Sequence, residues 1–169
     1  MENARFKVNV TASKRTEREQ YLSHFKDAVD AGAASIMSSY NHYNGKYAGH
    51  SDYLLNKVLK EEWGFDGFVM SDFIWGVNDT VEAANGGQDM EMMGTKYFGP
   101  SLVAAVKRGD VAEDTIDKAA LRIVRTVLAF EDGAPTFSKE VIAGPEHVKL
   151  ARRVAQEAIT LMKNKNSVL

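Results

Sequence analysis

At 169 residues the chain has the length of one ordinary domain. Its 44% hydrophobic and 26% charged residues fit a globular chain rather than a disordered one. A net charge of −2 argues against a nucleic-acid binder, and the absence of cysteine excludes a disulfide framework, thiolate chemistry and a cysteine-based zinc site. No apolar window is long enough to predict a transmembrane helix, and the opening MENARFKVNV lacks a signal-peptide pattern.

Thr16 and Glu19 have capping-box spacing, and the apolar positions Tyr21, Leu22, Phe25, Ala28 and Val29 predict a helix ending near Gly32. Ala34–Tyr40 is short and apolar, which predicts a buried strand, with NHYNGKYAGH as the loop after it. Ser51 is placed to cap a second helix carrying Leu54, Leu55, Val58 and Leu59 on one face. Gly67–Ser71 predicts a second buried strand, Asp79–Ala84 a short helix, and Gln88–Met93 a third strand. Pro100 opens a helix that stops near Gly109, and Glu113–Phe130 reads as a long amphipathic helix. EDGAPTF is linker-like, and a last helix is predicted from Glu146 to about Met162.

Strands alternating with helices predict parallel crossovers and an α/β fold. Three strands are far fewer than the eight strands and roughly 250 residues of a (β/α)₈ barrel. The pattern therefore admits either a small open sheet or part of a barrel.

In parallel α/β folds the loops after the strands build the site. Here they begin with Tyr40-Asn41, Asp72-Phe73 and Glu91-Met92, and they add the aromatics Tyr43, Tyr47 and Trp75. Carboxylates and amides beside aromatic faces suit sugars, which take hydrogen bonds at their hydroxyls and stack their apolar ring faces. Each residue also has a plain structural reading. Asp72 can be a turn former, Tyr40 a half-buried phenol, Arg5 a solvated charge, and Met37, Met90, Met92 and Met93 core fillers. Glu91 reads as a core-flanking residue rather than a catalytic one. His42 and His50 flank a glycine-containing loop with no third ligand in register, so no metal site is expected.

The run SIMSSYNHYNGKYAGHSDYLLNKVLKEEWGFDGFVMSDF closely resembles the bacterial β-glucosidases of glycoside hydrolase family 3. So do RFKVNVTASKRTEREQYLSHF before it and GGQDMEM after it. KAALRIVRTVLAF and LARRVAQEAITLMKN are similar to that family's last barrel helix and the link to its second domain. The resemblance implies a partial TIM-type barrel over residues 1–130 and a linker with a helix over 131–169. It implies retaining hydrolysis of terminal β-D-glucosyl residues, with the aspartate of the SD motif, Asp72, as nucleophile. It further implies a glycone subsite that includes Tyr40 and Arg5, with Met37 in the same strand; no cofactor and no membrane or nucleic-acid partner is expected.

Where the family usually has tryptophan after the nucleophile, this chain has Phe73, which keeps a stacking face and loses an N–H donor. The family's Lys-His pair, the acid/base and an α/β sandwich domain have no counterpart in these residues. The sequence thus reads as a segment that needs the missing barrel half and sandwich domain for activity. The competing expectations are a non-catalytic half-barrel that assembles with itself or a separately encoded partner, and a related exo-acting β-glycosidase such as a β-xylosidase or exoglucanase. Its oligomeric state is open.

Overall fold

The computed structural model describes residues 3–133 and 136–167. The chain separates into two compact units, Met1–Asp132 and Gly133–Leu169. Among the described residues, the first holds every strand.

Strand β1 (Asn9–Val10) is followed by α1 (Lys14–Thr16), a π-type turn over Glu17–Leu22 and α2 (Ser23–Asp30). Ser13, not Thr16, caps this helix, its Oγ accepting the Thr16 N–H at 3.1 Å. Glu19 does not reach back as a capping box requires, because Arg15 Nε donates to its carboxylate at 3.0 Å. Strand β2 (Ser35–Met37) comes next, shorter than expected. The segment read as a loop after it is a hairpin, β3 (His42–Tyr43) and β4 (Lys46–Tyr47). Its turn is Asn44-Gly45, with φ of 49° and 85°, the left-handed conformations that favour asparagine and glycine in a two-residue hairpin. Strand β1 pairs parallel to β3, and the turn is pinned to it by Asn44 N–H donating to the Val10 carbonyl at 2.9 Å.

A wide helix over Tyr53–Glu62 follows, its start satisfied by Ser51 Oγ accepting the Leu54 N–H at 3.3 Å. It buries Leu55, Val58 and Leu59, the face the periodicity picks out. Leu55 and Leu59 pack with Phe65 and Val69, flanked by Val29, Ile36, Leu54 and Trp63. Each such side chain contributes about 1.5–3 kcal/mol by leaving water. Strand β5 (Phe68–Met70) lies in this core and pairs parallel with β2 in the register Ser35–Phe68, Ile36–Val69, Met37–Met70.

The third parallel strand, expected over Gln88–Met93, is reduced to a single bridge between Met70 and Met90. The cause is local. The Val69 N–H donates to the Asp89 carboxylate at 2.8 Å, a side chain taking the place of a main-chain acceptor. Asp89 is itself held by Lys60 Nζ at 2.8 Å, an ion pair with both side chains buried.

Helices α3 (Thr80–Asn85), α4 (Pro100–Arg108) and α5 (Glu113–Glu131) complete the unit. Asp79 caps α3 through the Glu82 N–H at 2.8 Å, and α4 ends at Gly109 in the left-handed region. Ala84, Ala105 and Val111 make a second small core with Val81, Phe98, Leu102, Val106 and Ile116. In the second unit α6 spans Pro145–Ala158, ending earlier than expected, and its residues are exposed. Among the described residues no helix is long and apolar enough to cross a membrane.

Candidate active site

Strand β5 ends at Met70, and the two residues after it are Ser71, fully buried, and Asp72, half-buried. Ser71 Oγ accepts the Met92 N–H at 2.8 Å and fixes the chain as it leaves the sheet. The Asp72 N–H donates to the Ser38 carbonyl at 3.1 Å, tying it to the end of β2. The Phe73 N–H donates to Asp72 Oδ1 at 2.7 Å, and the Gly76 N–H to the Asp72 carbonyl at 3.2 Å. Asp72 therefore does form a turn, as its structural reading held, and one of its carboxylate oxygens is engaged within that turn.

The turn is strained. Ile74 is β-branched yet has φ of 68°, a conformation costing on the order of 1–3 kcal/mol. Its N–H donates to the Met92 carbonyl at 3.0 Å, which holds it there. The result is a tight reversal that exposes Phe73, Ile74 and Trp75 side by side. Gly76 closes it, since a Cβ there would lie 2.6 Å from both the N and the O of Asp72.

Beside this turn lies a cleft of about 430 Å³ lined by Phe6, Tyr40, Tyr47, Ile74, Trp75, Val77, Asn78, Lys96 and Tyr97. Phe6 stacks on Tyr40 with centroids 4.8 Å apart and meets Trp75 edge-on at 6.0 Å. The Arg5 guanidinium sits 5.3 Å from the Tyr40 ring centre. Four segments far apart in sequence, around residues 5, 40, 75 and 97, thus converge on one aromatic recess. Its lining can stack a flat apolar ring and offer it phenols, an amide and an ammonium.

Of the residues singled out from sequence, Tyr40 lines the cleft, Arg5 sits beside the Tyr40 ring, and Asp72 and Phe73 lie in the adjoining turn without lining it. Met37 does not line the cleft. It is exposed beside an apolar groove of about 170 Å³ with Leu22, Phe25 and Ile36. Glu91 accepts the Tyr97 and Phe98 N–H groups at 2.9 and 2.7 Å, so its carboxylate shapes the loop that carries Tyr97. Phe6, Asn78, Lys96 and Tyr97 were missed. Phe6, next to Arg5, had a local signal; the other three sit in loops whose reach depends on tertiary packing. A buried pair was missed too: Ser38 Oγ donates to Gln88 Oε1 at 2.8 Å. Among the described residues no cluster of side chains is arranged to hold a metal ion.

Residues 6–126 match the glycosyl hydrolase family 3 N-terminal domain. The chain belongs to that family. It is 45% identical over 156 residues to a β-glucosidase of Rhizobium radiobacter, a match covering 89% of this chain and 19% of that protein. With the thermostable β-glucosidase B of Acetivibrio thermocellus it shares 38% identity over 172 residues, 99% of this chain and 22% of that protein. Its fold superposes on β-glucosidase 3B of Thermotoga neapolitana in complex with α-D-glucose with a TM-score of 0.81 and 29% identity, covering 98% of this chain and 24% of that one. The chain spans about a fifth of the length of these curated relatives.

Proposed function

We propose that this chain is the nucleophile-bearing part of a retaining β-glucosidase, with β2, β5 and the segment at Met90 as successive strands of a (β/α)₈-type barrel. The observation that carries the reading is the placement of Asp72 at the end of β5, on a rigid strained turn beside an aromatic recess. A retaining glycosidase needs one carboxylate to attack the anomeric carbon and another to protonate the leaving oxygen, their carboxyl groups roughly 5–5.5 Å apart. Attack by Asp72 forms an ester bond to the sugar as the bond to the aglycone oxygen breaks. Water, deprotonated by the second carboxylate, then cleaves that ester. Strand-end anchoring keeps the attacking oxygen in register with the ring. Tyr40 and Arg5 supply polar contacts on the glycone side, and Phe6 and Trp75 provide faces for the ring.

Glu91 is engaged by two backbone amides, in keeping with a structural role, and the family resemblance implies that the acid/base comes from residues beyond these 169. The 169 residues alone are accordingly expected to release no aryl aglycone, since general acid assistance is worth about 10²–10⁴-fold. The test is covalent trapping. A 2-fluoro-glucoside with a good leaving group, given to this chain joined with the remaining family domains, should add one sugar to the peptide containing Asp72. Labelling of another residue would refute the assignment.

A second reading, a half-barrel that pairs with a partner, is favoured by the exposed Leu121, Val124, Val127, Leu128 and Phe130 on α5. A stable oligomer with no trapping in any assembly would support it.

A further inference from the structure

His50 lies in the short turn after β4, is 2% exposed, and none of the chemistry above uses it. Its Nε2 accepts the Asn78 N–H at 3.1 Å. An imidazole nitrogen that accepts cannot carry a proton, so the proton of neutral His50 sits on Nδ1. That nitrogen is buried with no hydrogen-bond partner among the described residues. Glu82 Oε2 is 3.6 Å from it, on a side chain that is largely exposed.

The surroundings lock this arrangement to the Asp72 turn. A Cβ on Gly49 would lie 2.6 Å from the Gly76 carbonyl, so the turn bearing His50 sits directly against the segment that follows Asp72. Tyr47 lines the aromatic cleft and lies 5.3 Å from the His50 ring, and His42 stacks on Tyr47 at 3.8 Å. Asn78, the donor to His50, lines the same cleft.

We propose that His50 is a positioning residue for the Asp72 turn: neutral and protonated on Nδ1, it holds the Asn78 N–H and registers segment 72–78 against the cleft, and a proton on Nε2 releases that hold. This rests on the reading of Asp72 as nucleophile. The groups facing His50 are Glu82 and Asp79 of α3 and its cap, which favour a charge on it, and His42 of β3, which opposes one. Burial, the largest influence, holds its pKa below the ordinary 6.5. The neutral form therefore holds the turn at neutral pH, and the hold is lost as pH falls through the lowered value.

Nitrogen NMR on the 169-residue chain tests the hold without needing turnover. His50 should show the Nδ1-protonated tautomer at pH 7.5. As His50 titrates, the Asn78 amide resonance should move with the same midpoint and its exchange protection fall about tenfold, the value of one ordinary hydrogen bond. His50→Gln keeps an acceptor near the Nε2 position and cannot ionise there, so its Asn78 amide should be flat between pH 7.5 and 5. Glu82→Gln, an exposed change that leaves the fold alone, removes a charge favouring protonation and should lower the midpoint. An Nε2-protonated tautomer, or an Asn78 amide indifferent to His50 titration, overturns the hold.

In a hydrolysing assembly, the acid limb of kcat/KM should lose its His50 component in His50→Gln, leaving that of the Asp72 carboxylate, and have the His50 component moved to lower pH in Glu82→Gln. An acid limb unchanged in both, with Asp72 still trapped by the fluoro-sugar, overturns the positioning role while sparing the nucleophile. NMR coupling that holds while trapping falls on another residue overturns the nucleophile and, with it, the link from His50 to catalysis.

Discussion

Ser38 and Asp72, at the ends of two paired strands, share one hydrogen bond: the Asp72 N–H donates to the Ser38 carbonyl at 3.1 Å. The turn is held by backbone bonds at the Asp72 N–H and carbonyl as well as by the Phe73 N–H on Oδ1, so removing the carboxylate costs one hydrogen bond and should leave the turn largely in place. Asp72→Gly in a hydrolysing assembly should lower turnover of aryl β-glucosides by at least about 10³-fold, in keeping with losses when a covalent-catalysis group is removed. Azide should restore part of it by attacking from the vacated side and giving an α-glucosyl azide. Near-normal turnover would end the case for Asp72.

Gly76→Ala tests the close approach behind the turn. The added methyl group would meet the Asp72 backbone at 2.6 Å, and neither neighbour is a flexible side chain. The expected loss is about 1–3 kcal/mol of stability, as for other overpacked sites. Urea denaturation measures it, and a midpoint equal to the parent's would show that the turn yields freely.

The proposed glycone contacts predict a graded series. Tyr40→Phe and Arg5→Ala each remove a polar contact, worth roughly 1.5–3 kcal/mol when one partner is charged, or about 10- to 100-fold in kcat/KM. Phe6→Ala removes the ring stacked on Tyr40 and should also weaken binding, although Phe6 offers no polar group. Unchanged specificity constants in all three would make the recess a structural feature.

Glu17 gives a prediction about acid stability. It is buried, and burial opposes its charge, yet hydrogen bonds from Tyr43 and Tyr53 and the nearby Lys14 outweigh this and hold its pKa below 4.5. Tyr43, buried against that carboxylate, is pushed up to about 12. A carboxyl lowered on folding adds stability that is fully present above its unfolded pKa and lost as pH falls through the folded one. Tyr43→Phe should cost about 1.5–3 kcal/mol at pH 7. The gap to the parent should narrow below pH 4, which urea midpoints across pH would show. A gap constant with pH would mean that the phenol acts through packing instead.

The helices were legible because each is written in local chemistry: Pro100 and Gly109 bracket α4, and Leu55, Val58 and Leu59 recur on one face. Strand β5 was legible from its apolar run. The hairpin was missed although Asn44-Gly45 is its usual turn, because two-residue strands carry too little apolar alternation to stand out. The third strand was overcalled because Met90, Glu91 and Met92 alternate as a strand would, while the Asp89 side chain takes the ladder position. At the site, the strand-end acid could be read from the sequence. The recess could not, since Phe6, Trp75 and Tyr97 meet through folding alone. The network from His50 to Asn78 carried no pattern that spacing could reveal.

The chain's two tryptophans stand in different places. Trp63 packs on the core formed by Leu55, Leu59, Phe65 and Val69, whereas Trp75 is exposed in the recess edge-on to Phe6. The molecule therefore carries two built-in optical probes with separate duties. With Trp63 changed to Phe, the emission of Trp75 becomes a direct gauge of occupancy. A sugar stacking there should shift that emission without altering the folded baseline, so affinity can be titrated separately from turnover.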